Sequence, residues 1–150
     1  MLFRSEVAYS LADGDDFLTV TTRMHNDGPT PMEVEPRDVV RADKTFVAGI
    51  DAATNCVWWD DEWFGQAYGV VPEGRSVSEN GQSVTSRPVR DPVRSFVAGK
   101  AGVEIPPRGS VQYVRRLFPG ASLPDVKAIA ARLTGLQTTA ATITVRDVRG

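Results

Sequence analysis

Along most of the chain, apolar and polar residues alternate one by one. From Phe3 to Leu11, the residues Phe3, Val7, Tyr9 and Leu11 share one face, while Arg4, Glu6 and Ser10 share the other. A period of two is that of an extended strand with one face buried. After the acidic turn Ala12–Asp16 the alternation returns. Over Phe17–Met24 it sets Leu18, Val20 and Met24 against Thr19, Thr21 and Arg23. The two stretches predict an antiparallel hairpin. The run Asn26–Pro31 follows, in which Gly28 permits positive φ and two prolines fix φ, so a turn is expected there. Short strands are predicted at Met32–Glu35, Val39–Arg41 and Thr45–Ala48, and another pair flanks Asp60–Glu62, with those three acids as the turn. Pro72–Pro92 is rich in Pro, Gly, Ser and Asn and reads as a long exposed hairpin or loop. Strands are expected again at Val93–Val97, Val103–Ile105, Ser110–Phe118 and Ala141–Val145.

One segment changes period. Val126, Ile129, Ala130 and Leu133 follow helical spacing along one side. Ser122 stands where a helix cap is needed, Asp125 completes a capping box, and Pro124 fits the first turn. Gly135 is placed to end the helix. Many short strands with Gly/Pro turns and one helix near residues 123–134 predict a mainly β protein, an antiparallel β-sandwich. Residues 1–136 are assigned to this sandwich domain. Residues 137–150 are assigned to a final strand, the truncated start of a following small β-domain. A strand pattern is already under way at residue 3, and the closing Thr144–Gly150 reads as a strand entering a turn. The chain is therefore expected to be a piece of a longer protein.

Composition narrows the function classes. At 150 residues the chain is long enough for one domain with one sizeable core. The formal net charge of -2 gives no bulk field toward nucleic acid or an anionic membrane. Arginines are scattered, with Arg115–Arg116 as their one adjacent pair, and the aromatic residues are interleaved with acids rather than bases. No apolar run approaches the roughly 18 residues of a membrane helix. Neither nucleic-acid binding nor membrane insertion is expected.

The single cysteine, Cys56, cannot form an internal disulfide. With His25 as the one histidine, a structural zinc site of nitrogen and sulfur ligands is excluded by inventory. Calcium needs only oxygen, so Asp13, Asp15 and Asp16, or Asp60, Asp61 and Glu62, stay open to it; neither group has the spacing of an EF-hand. There is no phosphate-binding glycine loop and no nucleophile elbow. His25 reads as a turn residue and Cys56 as a small buried hydrophobe. No catalytic residue, metal ligand or cofactor is assigned.

Val7–Val34, with its Tyr9-x-Leu11 strand, acidic Gly14 turn, Leu18-x-Val20 strand and Asn26 turn before Pro29, resembles a hairpin of the galactose mutarotase-like super-sandwich. Val103–Phe118 resembles a later strand pair of that fold, joined by a Pro-Gly turn. The order of segments also resembles the N-terminal sandwich of exported metallohydrolases of the polymerase-and-histidinol-phosphatase type, in which a small β-domain and then the catalytic domain follow. That resemblance implies an extracellular or periplasmic location and a neighbouring domain of the same longer chain as partner. It carries no site residues across. The stretch Glu35–Val40 has no histidine where a mutarotase would supply one, and none occurs after His25.

The densest chemistry lies in Asn55–Gly69, which holds all three tryptophans and three consecutive acids. The ligand-binding candidates are Trp58, Trp59, Trp63 and Tyr68 with Asp60, Asp61 and Glu62. Alternation sends Trp58 and Trp59 to opposite faces, and Trp63 and Phe64 likewise on the next strand. One face is then core. The other is either covered by loop residues, or docks a neighbouring domain, or stacks on a sugar ring while the acids accept its hydroxyl protons. The expected function is a non-catalytic accessory module that positions a neighbouring domain, with weak glycan contact. The alternative is a carbohydrate-active enzyme domain that works through carboxylates.

Overall fold

The computed structural model describes residues 2–41, 45–74, 77–79, 82–83, 89–90, 93–98 and 102–139. In chain order the strands are β1 (Phe3–Ser10), β2 (Leu18–Asn26), β3 (Met32–Val34), β4 (Arg37–Arg41), β5 (Val47–Asp51), β6 (Cys56–Asp61) and β7 (Gln66–Pro72). They continue as β8 (Val77–Glu79), β9 (Gln82–Ser83), β10 (Val89–Arg90), β11 (Val93–Ala98), β12 (Val103–Ile105) and β13 (Ser110–Gly120), and helix α1 (Leu123–Thr134) follows. A seven-stranded sheet runs β1-β2-β13-β7-β6-β5-β10, a four-stranded sheet runs β4-β11-β8-β9, and β12 pairs with β3. Neighbours are antiparallel, as in the hairpin β1–β2, which pairs Phe3 with Asn26 through Ser10 with Thr19. The mainly antiparallel β-sandwich, with a single helix among the described residues, is the architecture that the alternating pattern predicts.

Three expectations need correction. The apolar face of β1 is buried only at its start, where Phe3 packs against Met24, Ile105 and Tyr113; Val7, Tyr9 and, just past the strand, Leu11 are exposed. β1 is an edge strand, so the described elements flank it on one side alone, and alternation cannot report how many neighbours a strand has. The strand expected at Thr45–Ala48 lies instead at Val47–Asp51. Thr45 is held out of it, because its hydroxyl donates to the Asp61 carboxylate. The acids Asp60 and Asp61 are not a turn. β6 runs through both, and Asp60 pairs with Ala67 and Asp61 with Gln66, which leaves Glu62–Gly65 to reverse the chain. Within Pro72–Pro92 the strands β8 and β9 form a short hairpin. The strand expected at Ala141–Val145 lies outside the described residues.

The large sheet buries both faces near its centre. On one face α1 covers Cys56, Trp58, Val71 and Phe118 with Val126 and Ala130. The helix starts and stops as its sequence predicts. The Ser122 hydroxyl accepts from the Asp125 amide, Asp125 returns a bond from the Ala121 amide, and Gly135 takes a left-handed φ of 70°. Close approach of helix to sheet is possible because Gly69 has no side chain. A Cβ there would lie 2.5 Å from the Phe118 ring and 2.8 Å from Val126. On the opposite face Ala48, Ile50, Val57, Trp59 and Val70 form a second cluster. There Arg115 of β13 reaches Asp38 of β4 through two contacts of 2.8 Å, tying the large sheet to the four-stranded one. A third cluster of Met24, Ile105 and Tyr113 fills the end of the fold near β3 and β12.

That end is fastened by one side chain. Asn26 is 1% exposed. Its amide nitrogen donates to the carbonyls of Thr30, Ile105 and Pro106 at 2.7, 3.1 and 3.2 Å, and its oxygen accepts from the Gly28 amide at 2.9 Å. One asparagine thus closes the turn after β2 and pins it to the turn before β13.

Cys56 sits fully inside the helix-facing cluster, as a small hydrophobe. Burial pushes its thiol from 9.0 up to about 12. The folded protein is therefore expected to leave a disulfide reagent unconsumed at pH 8, while in denaturant one thiol reacts; stoichiometric labelling of the native state would contradict this. Because the folded thiol loses its proton later than the unfolded one, the contribution of Cys56 to stability is fully present below pH 9.0 and is lost as pH rises toward about 12.

Candidate functional site

The seven candidate residues divide between the two faces of β6 and β7 and the turn that joins them. Trp58, Asp60, Glu62 and Trp63 come together on the helix side, where they line a cleft of about 410 Å³ with Thr45, Val47 and Leu123. Trp59, Asp61 and Tyr68 do not join them. Trp59 is 2% exposed in the opposite cluster, and Tyr68 lies beside it on that face, 6.1 Å from Phe46 ring to ring. Tyr68 instead borders a second, apolar depression with Leu11, Phe17, Leu18 and Leu117.

Asp61 has a structural task. It is 1% exposed, and one of its oxygens accepts from the amides of Trp63 at 3.0 Å and Phe64 at 3.3 Å. Its other oxygen takes the Thr45 hydroxyl. A carboxylate that satisfies two turn amides while Gly65 adopts a φ of 63° fixes where the chain reverses. The consequence for the aromatics is direct. Trp63 and Phe64 lie in the turn, not on the following strand, and they stand in solvent at 84% and 64% exposure. Trp63 and Phe64 therefore do not split between the faces of the following strand, and the aromatic that β7 sets opposite Trp59 is Tyr68.

The cleft is built in layers. Trp58 forms its floor and is 6% exposed; its cross-strand partners on β5 and β7 are Gly49 and Gly69, and Gly49 makes room for the indole. A Cβ at Gly49 would meet the indole at 2.4 Å. Asp60 points the same way as Trp58, two residues along the strand. Trp63 rises from the turn as an exposed indole wall, and Glu62 precedes it. Leu123, the first residue of α1, closes the far side. Burial, and then the charges of Glu62 and Asp61, hold the Asp60 carboxyl above its ordinary value of 3.8. Among the described residues, no lysine, arginine or histidine lines the cleft. Thr45, Val47 and Leu123 were not legible as site residues, since they carry no distinctive chemistry and arrive from remote segments.

The arrangement can stack a flat apolar surface on Trp63 and accept hydrogen bonds at Asp60 and Glu62. Among the described residues, no group of three or more His, Cys, Asp or Glu side chains is placed to hold a metal ion. The calcium alternative at Asp60–Glu62 gains no support from this geometry, because Asp61 is turned to the opposite face and engaged in the turn.

No protein-family model matches the chain, and no curated protein is significantly similar to it in sequence. Among solved structures, it is similar over 98% of its length to a TPR-domain containing protein from Parabacteroides distasonis, with 12% identity and a TM-score of 0.53. It is also similar over 91% of its length to an aldose 1-epimerase candidate from Klebsiella pneumoniae, with 8% identity and a TM-score of 0.42. The chain spans 34% of the first protein and 51% of the second. At these identities the likeness to the first concerns the fold alone, and that fold is an antiparallel β-sandwich with one packed helix.

Proposed function

We propose that this chain is a non-catalytic, mutarotase-like sandwich module of a larger exported protein, and that its helix-side cleft makes a weak contact with a sugar ring. The observation that carries the reading is Trp63, an indole left 84% exposed beside the carboxylates Asp60 and Glu62 at the mouth of a cleft. A side chain of that size standing in water has no packing role at its own position. It suits a ligand with one apolar face and a rim of hydroxyls, which the indole stacks and the carboxylates receive. The accessory role is supported by the exposed apolar face of β1 and by the resemblance of the segment order to the sandwich that precedes a metallohydrolase domain. In that setting the module positions the domain that follows it.

Titration of tryptophan fluorescence with glucose, galactose and N-acetylglucosamine tests the glycan contact. A saturable shift with at least one sugar is expected, and Trp63→Ala abolishes it. No shift with any of them removes the glycan reading. Turnover of a glycoside or an aldose by the chain itself, lost in Asp60→Asn, would replace it with the enzymatic alternative.

A further inference from the structure

The polar lining of the cleft is one-sided. Asp60 and Glu62 offer acceptor oxygens, and the Thr45 hydroxyl is already spent on Asp61. Among the described residues the lining supplies no cationic donor and no positive charge. A neutral sugar hydroxyl brings one donor together with lone pairs, for which the described lining offers the indole N–H groups of Trp58 and Trp63 but no charged donor. A protonated amine brings three donors and no lone pair, and it can be met by both carboxylates and by the π-face of an indole at once. Anionic ligands such as uronic acids or phosphates are repelled by the same walls.

Resting on the glycan reading, we propose that the cleft selects a pyranose that carries a protonated amino group over the neutral and the N-acetylated sugar. The two carboxylates form the charge pair for the ammonium group, and Trp63 stacks on the ring. The elevated Asp60 carboxyl fits this role. Its ionised form is disfavoured by partial burial and by Glu62 and Asp61, and a bound cation offsets that cost.

The experiment is a set of parallel calorimetric titrations of the whole chain at pH 6, with glucosamine, glucose and N-acetylglucosamine. Glucosamine is expected to bind about tenfold more tightly than the other two, and the preference is expected to shrink several-fold between 0.05 and 0.5 M salt, because a partly exposed charge pair is screened. In Asp60→Asn and Glu62→Gln the ratio of affinities falls toward one. Asp60→Asn is expected to fold at least as well as the parent, so loss of the ratio is not loss of structure. Equal binding of glucosamine and glucose overturns the selectivity and leaves the glycan contact standing. A preference that survives both substitutions overturns the assignment to these carboxylates. Absence of binding by all three sugars overturns the glycan contact and the selectivity together.

Discussion

Asn26→Asp is expected to destabilise the protein by about 3–5 kcal/mol, a large share of the roughly 5–15 kcal/mol that holds a domain of this kind. The substitution preserves shape and removes donors. The Asn26 amide nitrogen serves three carbonyl oxygens, those of Thr30, Ile105 and Pro106. A carboxylate there would set negative charge against all three in a site that is 1% exposed. Protonation relieves part of this, so the defect should lessen as pH falls through the raised pKa of the new acid. Asn26→Ala removes the same bonds without burying a charge, and is expected to cost about 2–4 kcal/mol. Urea denaturation of both variants at pH 7 and pH 4.5 measures the difference. If aspartate proves no worse than alanine at pH 7, the three carbonyls are satisfied by something other than this nitrogen.

The tryptophans provide the second large effect. Trp58→Ala should cost about 3–5 kcal/mol, since it empties the floor of the cleft and uncovers Gly49 beneath it. Trp63→Ala should change stability by no more than about 0.5 kcal/mol, because the indole is 84% exposed and packs against no core cluster. Thermal unfolding of the two variants side by side is the measurement. A cost at Trp63 comparable to that at Trp58 would mean that the exposed indole packs on something, and the ligand reading would lose its main support. The pair also separates stability from binding: Trp63→Ala should remove the fluorescence response to sugar in a protein that remains folded.

The two tryptophans are five positions apart, and nothing in their immediate neighbours tells one from the other. Trp58 and Trp59 are adjacent, and alternation correctly sends them to opposite faces. It does not say that both faces are covered, with α1 over Trp58 and a separate apolar cluster around Trp59. The same limit explains β1. Its alternation is as regular as that of β2, yet Val7 and Tyr9 are exposed while Val20 and Met24 are buried. Periodicity records which residues share a face. Burial records what lies on that face, and that is supplied by segments far away in the chain.

The sequence by itself determined the elements whose cause is local. Helix α1 was legible to within a residue at each end, because Ser122, Pro124, Asp125 and Gly135 satisfy or terminate backbone groups within a few positions of themselves. The hairpin β1–β2 and the strands β12 and β13 were legible because alternation and turn residues act over the same short range. The tertiary structure alone decided the site. The turn after β6 moved to Glu62–Gly65 because Asp61 is drawn to Thr45 and to two turn amides, and three acids in a row give no sign of which one will be buried. That choice placed Trp63 in solvent, aligned Asp60 with Trp58, and brought Thr45 and Leu123 to the rim of one cleft. Hydrogen bonds and packing between remote segments set these positions, and their energies depend on distances that a linear pattern does not contain.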